Sequence, residues 1–411
     1  MSASDYRPDI DGLRAVAVLP VVLYHAGLGV TPGGYVGVDV FFVISGFLIT
    51  AILRREMAEG RFSLVRFWER RVRRILPPLL LVMLAAFAAA HFVLAVPLYY
   101  ENFAESVMAQ GGFLSNVYFM RQDGYFAAPS DTKPLLHFWS LAVEEQFYIL
   151  FPVFLLALAG LRGGLSRVAP VALGGVAVLS FALCVWMVNI TPRAAFTVPG
   201  LPDVWGNATN AGAGFFLLPT RAWELAAGAL LALVPVAPKT PRAGALLSLG
   251  GLAAILAAVF FYDEGTAFPG VAAVLPVLGT VAVIAGNTGH ATPVARVLSW
   301  RPLVGLGLIS YGLYLWHWPL FVLARPLWPD APGVAGMLGL ILLSVGLAWL
   351  SYRYVETPIR RKRVLPTPRA VFAGAFAGLF VLVGFGTAIY RAEGLPGRLA
   401  PEARAFAAAM E

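Results

Sequence analysis

The chain has 411 residues, 59% of them hydrophobic and only 13% charged, with a net charge of +8 and a mean hydropathy of +0.77. A water-soluble core cannot absorb so much apolar surface, so the composition excludes a soluble domain and fits an all-α polytopic membrane protein, in which lipid solvates the exterior. One cysteine, Cys184, excludes a disulfide framework and a cysteine-rich metal site, and five scattered histidines suggest no metal cluster.

Apolar stretches of about 17–25 residues, the length that crosses a bilayer, centre near Val21, Val43, Leu84, Leu150, Leu179, Ala226, Leu252, Val277, Leu313, Leu342 and Leu379. The first is read as a retained helix rather than a signal peptide, because no small-residue cleavage signal follows it. The chain is accordingly expected to begin at Met1. Glycines and prolines weaken the span at Val277. With the N-terminus in the cytoplasm, most Lys and Arg fall on the inner side, chiefly in "RREMAEGRFSLVRFWERRVRR" and "RYVETPIRRKR". The outer connections "GVTPGGYVG" and "YDEGTAF" have no basic residue. The positive charge therefore reports topology, and nucleic acid is excluded as a partner. In the long outer connection, "YYENFAESVMAQ" suits an interfacial helix. The expected divisions are 1–365 as the membrane domain, 366–390 as an added eleventh helix and 391–411 as the start of an extracytoplasmic linker.

Ionisable groups in lipid are costly and ordinarily face a cavity or one another. In "YRPDIDGLRAVAVLPVVLYHAGL", ten residues separate Arg14 from His25. On an α-helix this spacing returns to within about 20° of one face and rises roughly 16 Å. Pro20 permits a kink between them. Asp11 lies about 21 Å from His25 along a continuous helix, and is better placed to pair with Arg14 at i,i+3. Asp39 enters the second span near the end where His25 sits, so it is a candidate to orient the imidazole. Gly37 and Gly46 read as sites of close helix packing.

In "LLHFWSLAVEEQFYILFP", His137, Ser140, Glu144 and Tyr148 share one helix face. A polar stripe in so apolar a span points to function. Arg221 and Glu224 stand one turn apart, either as a self-contained ion pair or as an acceptor-binding edge. "SYGLYLWHWPL" puts Tyr314 and His317 on one broad face. At "ERRVRRILPP", Arg70 with Arg73, and Arg71 with Arg74, make two basic faces, and guanidinium forks suit phosphate oxygens.

"YRPDIDGLRAVAVLPVVLYH", "GVDVFFVISGFLIT", "RRVRRILPP", "HFWSLAVEEQFYILFP", "RAWELAAGALLA", "SYGLYLWHWPL" and "YVETPIRRK" follow one another in this order. Together they resemble the acyltransferase-3 family of membrane enzymes, especially its O-antigen-acetylase-like branch, over nearly the whole chain. The resemblance implies transfer of an acyl group, usually acetyl, from cytoplasmic acyl-CoA to a hydroxyl of a glycan or lipid-linked sugar at the outer face of a bacterial cytoplasmic membrane. Lipopolysaccharide and other surface polysaccharides are the acceptors that branch suggests. Its activity motif in the first span maps onto Arg14 and His25. Its basic RxxR element maps most naturally onto Arg71 and Arg74, although Arg70 and Arg73 have the same spacing. Many relatives continue into an extracytoplasmic SGNH-type domain, which gives such a domain, in cis or in trans, as an expected partner besides membrane lipid.

The resulting expectation is a metal-free transfer. The arginines hold the phosphates of acyl-CoA, the donor arm runs along the first helix, and His25 serves as general base on the acceptor hydroxyl. Asp39 or Glu144 orients it, and Ser140, Tyr148 or Tyr314 donates to the developing oxyanion. Direct transfer is favoured over an acyl-enzyme, since Cys184 lies away from every motif and no serine has an evident base beside it in sequence. The competing class is a transporter or flippase of a glycan or acyl carrier, in which the same polar residues form a pathway.

Overall fold

The computed structural model describes residues 6–122, 129–160, 164–198, 208–328, 330, 332–399 and 401. Every expected span centre falls in an α-helix: α1 (Pro8–His25), α2 (Gly37–Ala58), α3 (Leu64–Val93), then α4 (Pro97–Gly111) and α5 (Ser115–Arg121) in the outer connection, α6 (Phe138–Ala159), α7 (Gly164–Val185), α8 (Asn210–Phe216), α9 (Leu218–Leu233), α10 (Pro241–Phe261), α11 (Val274–Gly286), α12 (Pro293–Leu298), α13 (Arg301–Ala324), α14 (Val334–Ser351), α15 (Thr357–Arg360) and α16 (Pro368–Arg391). Among the described residues, nine helices are long and apolar enough to cross a membrane. The protein is an all-α polytopic membrane protein. The helix at Val277 is shorter than expected. The turn after Pro269 and Gly270 delays its start to Val274, and its 13 residues rise about 20 Å, less than the hydrocarbon thickness. The expected linker start, 391–411, lies partly outside the described residues.

The chain divides into two compact units, Met1–Leu64 with Glu144–Tyr311, and Val65–Val143 with Gly312–Glu411. In the first, α1 opens on Pro8, with Asp9 and Asp11 in its first turn and His25 in its last. Proline at the start, acids near the positive end and a histidine near the negative end all suit the helix dipole. Gly27 and Gly29, at φ +67° and +68°, turn the chain out of the helix. α2 and α9 approach at backbone distance. A Cβ at Gly46 would overlap the carbonyl of Leu225, and one at Gly228 would overlap that of Val43. In lipid, where no hydrophobic drive joins helices, such small-residue contacts supply the packing energy.

The second unit holds α3 to α5, the start of α6, the end of α13, and α14 to α16. The Trp316 indole donates to Ser351 Oγ at 2.9 Å, tying α13 to the end of α14. A π-turn, Tyr352–Glu356, joins α14 to α15. Past α16, Arg398 donates to the carbonyls of His91 and Leu94 and lies 4.1 Å over the Tyr100 ring. Burial pushes the Tyr100 hydroxyl above its ordinary range, so at neutral pH this contact is cation on ring rather than ion on ion.

Candidate active site

The first unit carries Arg14 and His25 on one continuous helix, both half-buried, with His25 as its last residue. Asp11 clamps the basic end. Its Oδ1 accepts from Arg14 Nη1 at 3.1 Å and its Oδ2 from Tyr6 OH at 2.7 Å. One carboxylate therefore joins Arg14 to Tyr6, two residues before the helix, and it sits at the opposite end from His25. The His25 ring packs 5.4 Å from that of Tyr24.

Asp39 is fully buried, and its Oδ1 takes Arg221 Nη1 at 3.2 Å. The same Nη1 lies 2.9 Å from Glu224 Oε1. All three side chains are sealed from solvent, and the Arg221 guanidinium stands 5.6 Å from each of the Phe42, Phe215 and Phe268 rings. Asp39, a carboxylate expected to orient His25, has its Oδ1 engaged by Arg221, while its Oδ2 has no hydrogen-bond partner among the described residues. Arg221 and Glu224 are neither a self-contained pair nor an exposed acceptor edge, but two members of a buried three-charge cluster that α2 completes. The close approach at Gly46 and Gly228 brings α2 near enough to α9 for this to happen.

Glu144 and Tyr148 keep the expected i,i+4 relation, and Tyr148 OH donates to Glu144 Oε1. Ser45, on α2, donates to the same oxygen, and the hydroxyls of Tyr148 and Ser45 are 3.2 Å apart. Sequence reasoning missed Ser45. Nothing in "FFVISGF" says which residue of another helix it meets, and a serine beside a glycine reads as packing. The expectation that no serine lies beside a base is therefore corrected in space, since Ser45 touches a carboxylate.

In the second unit, His137 just precedes α6, and its Nε2 is 3.3 Å from the carbonyl of Leu315. Ser140 Oγ and Tyr314 OH are 2.7 Å apart, and Tyr314 also donates to the His137 carbonyl at 2.9 Å. The rings of His137, Tyr314 and His317 lie 5.3–5.5 Å apart. His317 Nδ1 sits 3.1 Å from the Leu313 carbonyl, which makes that nitrogen a donor. All four residues are buried. Ser140 and Tyr314 thus satisfy one another and a backbone carbonyl. Their expected role as oxyanion donors gives way to that of a buried hydrogen-bond knot.

The arginine cluster also separates. Arg73 is buried, bonds Glu69 at 2.8 Å, and donates to the carbonyls of Ile359, Leu365 and Pro366. Its fork is used up in joining α3 to α15 and the loop after it, so it is withdrawn as a phosphate ligand. Arg70, Arg71 and Arg74 are half-buried on the same helix. Identical spacing hid this difference, because spacing does not say which face meets another element.

Residues 7–353 match the profile of the acyltransferase-3 family, described as an acyltransferase domain. The chain belongs to this family. As a member, it is 32% identical over 377 residues to the peptidoglycan O-acetyltransferase OatA of Listeria monocytogenes, covering 87% of this chain and 56% of that protein. It is 32% identical over 386 residues to the putative peptidoglycan O-acetyltransferase YrhL of Bacillus subtilis, covering 89% and 57%. It is 29% identical over 404 residues to the O-acetyltransferase OatA of Staphylococcus aureus, covering 93% and 63%. The chain thus spans somewhat over half the length of these curated relatives. No solved structure matches it.

Proposed function

We propose that this family member transfers an acyl group, acetyl, from cytoplasmic acyl-CoA to a hydroxyl of a cell-wall glycan outside a bacterial cytoplasmic membrane, with its N-terminus in the cytoplasm. The names of two relatives, peptidoglycan O-acetyltransferase and putative peptidoglycan O-acetyltransferase, support peptidoglycan as the acceptor among the surface glycans expected, rather than lipopolysaccharide.

One observation carries the reading. A single helix holds Arg14, clamped by Asp11, in its first half and His25 as its last residue. Their separation of roughly 16 Å is comparable to the reach of the donor's extended pantetheine arm. Arg14, and in the second unit Arg70, Arg71 and Arg74, carry guanidinium groups of the kind that bind phosphate oxygens.

In the transfer, His25 takes the proton of the acceptor hydroxyl as its oxygen attacks the thioester carbonyl. The carbon–sulfur bond breaks, and the CoA thiolate leaves and collects a proton. An imidazole, which can both accept and return a proton, suits this base. Of the two carboxylates expected to serve His25, Glu144 is the one assigned, because Asp39 already shares Arg221 with Glu224. The test is turnover of labelled acetyl-CoA by the purified protein in detergent, with a peptidoglycan fragment as acceptor. Label on the glycan supports the reading. A transporter would leave acetyl-CoA intact, because no gradient exists there.

A further inference from the structure

We propose that Ser45 is a positioning residue for Glu144, holding one carboxylate oxygen so that the other is presented to the reacting groups. The inference rests on the assignment of Glu144 to the transfer step. Ser45 and Tyr148 come from different helices, yet both donate to the same oxygen, Oε1. Two hydroxyls bring two hydrogens, and both are spent there. The 3.2 Å contact between Tyr148 OH and Ser45 Oγ closes a triangle of three oxygens that fixes the carboxylate plane from two sides. Oε2 takes neither of these bonds.

A serine inside an apolar helix normally returns its hydrogen to a carbonyl three or four residues back. This chain does so elsewhere: Ser344 bonds the Leu340 carbonyl, Ser248 that of Ala245, and Thr280 that of Pro276. Ser45 reaches across to α6 instead. Its helix is also pinned on either side of it. Asp39 is bound to Arg221, and Gly46 lies against the Leu225 carbonyl, both on α9. The hydroxyl of Ser45 is therefore delivered from a rigid element, which is what holding a catalytic carboxylate requires. Ser45 is 8% exposed, so water does not readily replace it.

The experiment compares Ser45→Ala, Ser45→Thr, Tyr148→Phe, Glu144→Gln and Ser45→Ala with Glu144→Gln, all in the full chain, by acetyl-CoA turnover in detergent and by thermal melting. Losing a hydrogen bond to a charged group is expected to lower kcat about 10- to 100-fold, with KM for acetyl-CoA nearly unchanged. Ser45→Thr, which keeps the hydroxyl, is expected to recover most of the rate. In the Glu144→Gln background, Ser45→Ala is expected to add almost nothing, because its target is gone. Should Ser45→Ala melt early, Tyr148→Phe reads the same oxygen through the other donor, and a normal kcat there overturns the proposal. A normal kcat in a stable Ser45→Ala, beside an inactive Glu144→Gln, also overturns it and leaves the role of Glu144 standing. Full activity in Glu144→Gln overturns that role itself.

Discussion

Arg14 is bound to Asp11 one turn behind it, Nη1 to Oδ1 at 3.1 Å, and Tyr6 occupies the carboxylate's other oxygen. Asp11 thus holds the guanidinium toward the start of the helix that ends at His25. The pair is mostly buried, its side chains 14% and 10% exposed, so removing one partner matters more than for a surface ion pair. Asp11→Asn is expected to raise KM for acetyl-CoA about 2- to 5-fold with little change in kcat. Arg14→Ala, which removes the charge itself, is expected to cost more than Asp11→Asn in the same steady-state assay.

The arginines of α3 should separate by assay. Arg73→Ala leaves Glu69 to Lys362, 3.3 Å away, and leaves three carbonyls without their donor. An unsatisfied buried polar group costs about 1–3 kcal/mol, so low yield and early melting in detergent are expected. Arg74→Ala is expected to fold normally, with KM for acetyl-CoA raised. Normal melting of Arg73→Ala would contradict its structural assignment.

The buried cluster of Asp39, Arg221 and Glu224 sets two acids against one base. Arg221→Leu leaves two carboxyls without a cation and is expected to destabilise strongly, by about 3–5 kcal/mol. Asp39→Asn leaves one acid with one base and is expected to be much milder. Melting temperatures of the two variants give the order directly, and the reverse order would contradict the charge count.

Gly228→Ala places a methyl against the Val43 carbonyl at the α2–α9 approach. Overpacking of this kind costs about 1–3 kcal/mol. Because the approach also brings Asp39 to Arg221, the variant is expected to be less stable and partly inactive. The control is Gly250→Ala on α10, where no atom lies within 4 Å of an added Cβ, and its melting and turnover should match wild type.

What was legible in the sequence follows from distance along the chain. Arg14 with Asp11, and Glu144 with Tyr148, are one helical turn apart, and helix geometry alone pairs them. The apolar spans were legible because bilayer thickness dictates their length. Asp39 and Arg221 were not paired, because 182 residues separate them and no pattern within either helix states its register against the other. Ser45 was hidden for the same reason. Arg73 looked like Arg70, Arg71 and Arg74 because its partners lie on a loop nearly 300 residues away. The sequence thus shows which side chains share a helix face, but the packing decides which are catalytic candidates and which are mortar.

The central claim is that His25 is the base of an acyl transfer whose donor enters at Arg14. The direct measurement is the rate of acetyl transfer from labelled acetyl-CoA to a peptidoglycan fragment by purified wild type and His25→Ala in detergent, with melting curves for both. The expected result is a loss of about 100- to 10,000-fold in His25→Ala, with unchanged melting. A correctly folded His25→Ala protein that acetylates the fragment at near the wild-type rate would contradict the claim.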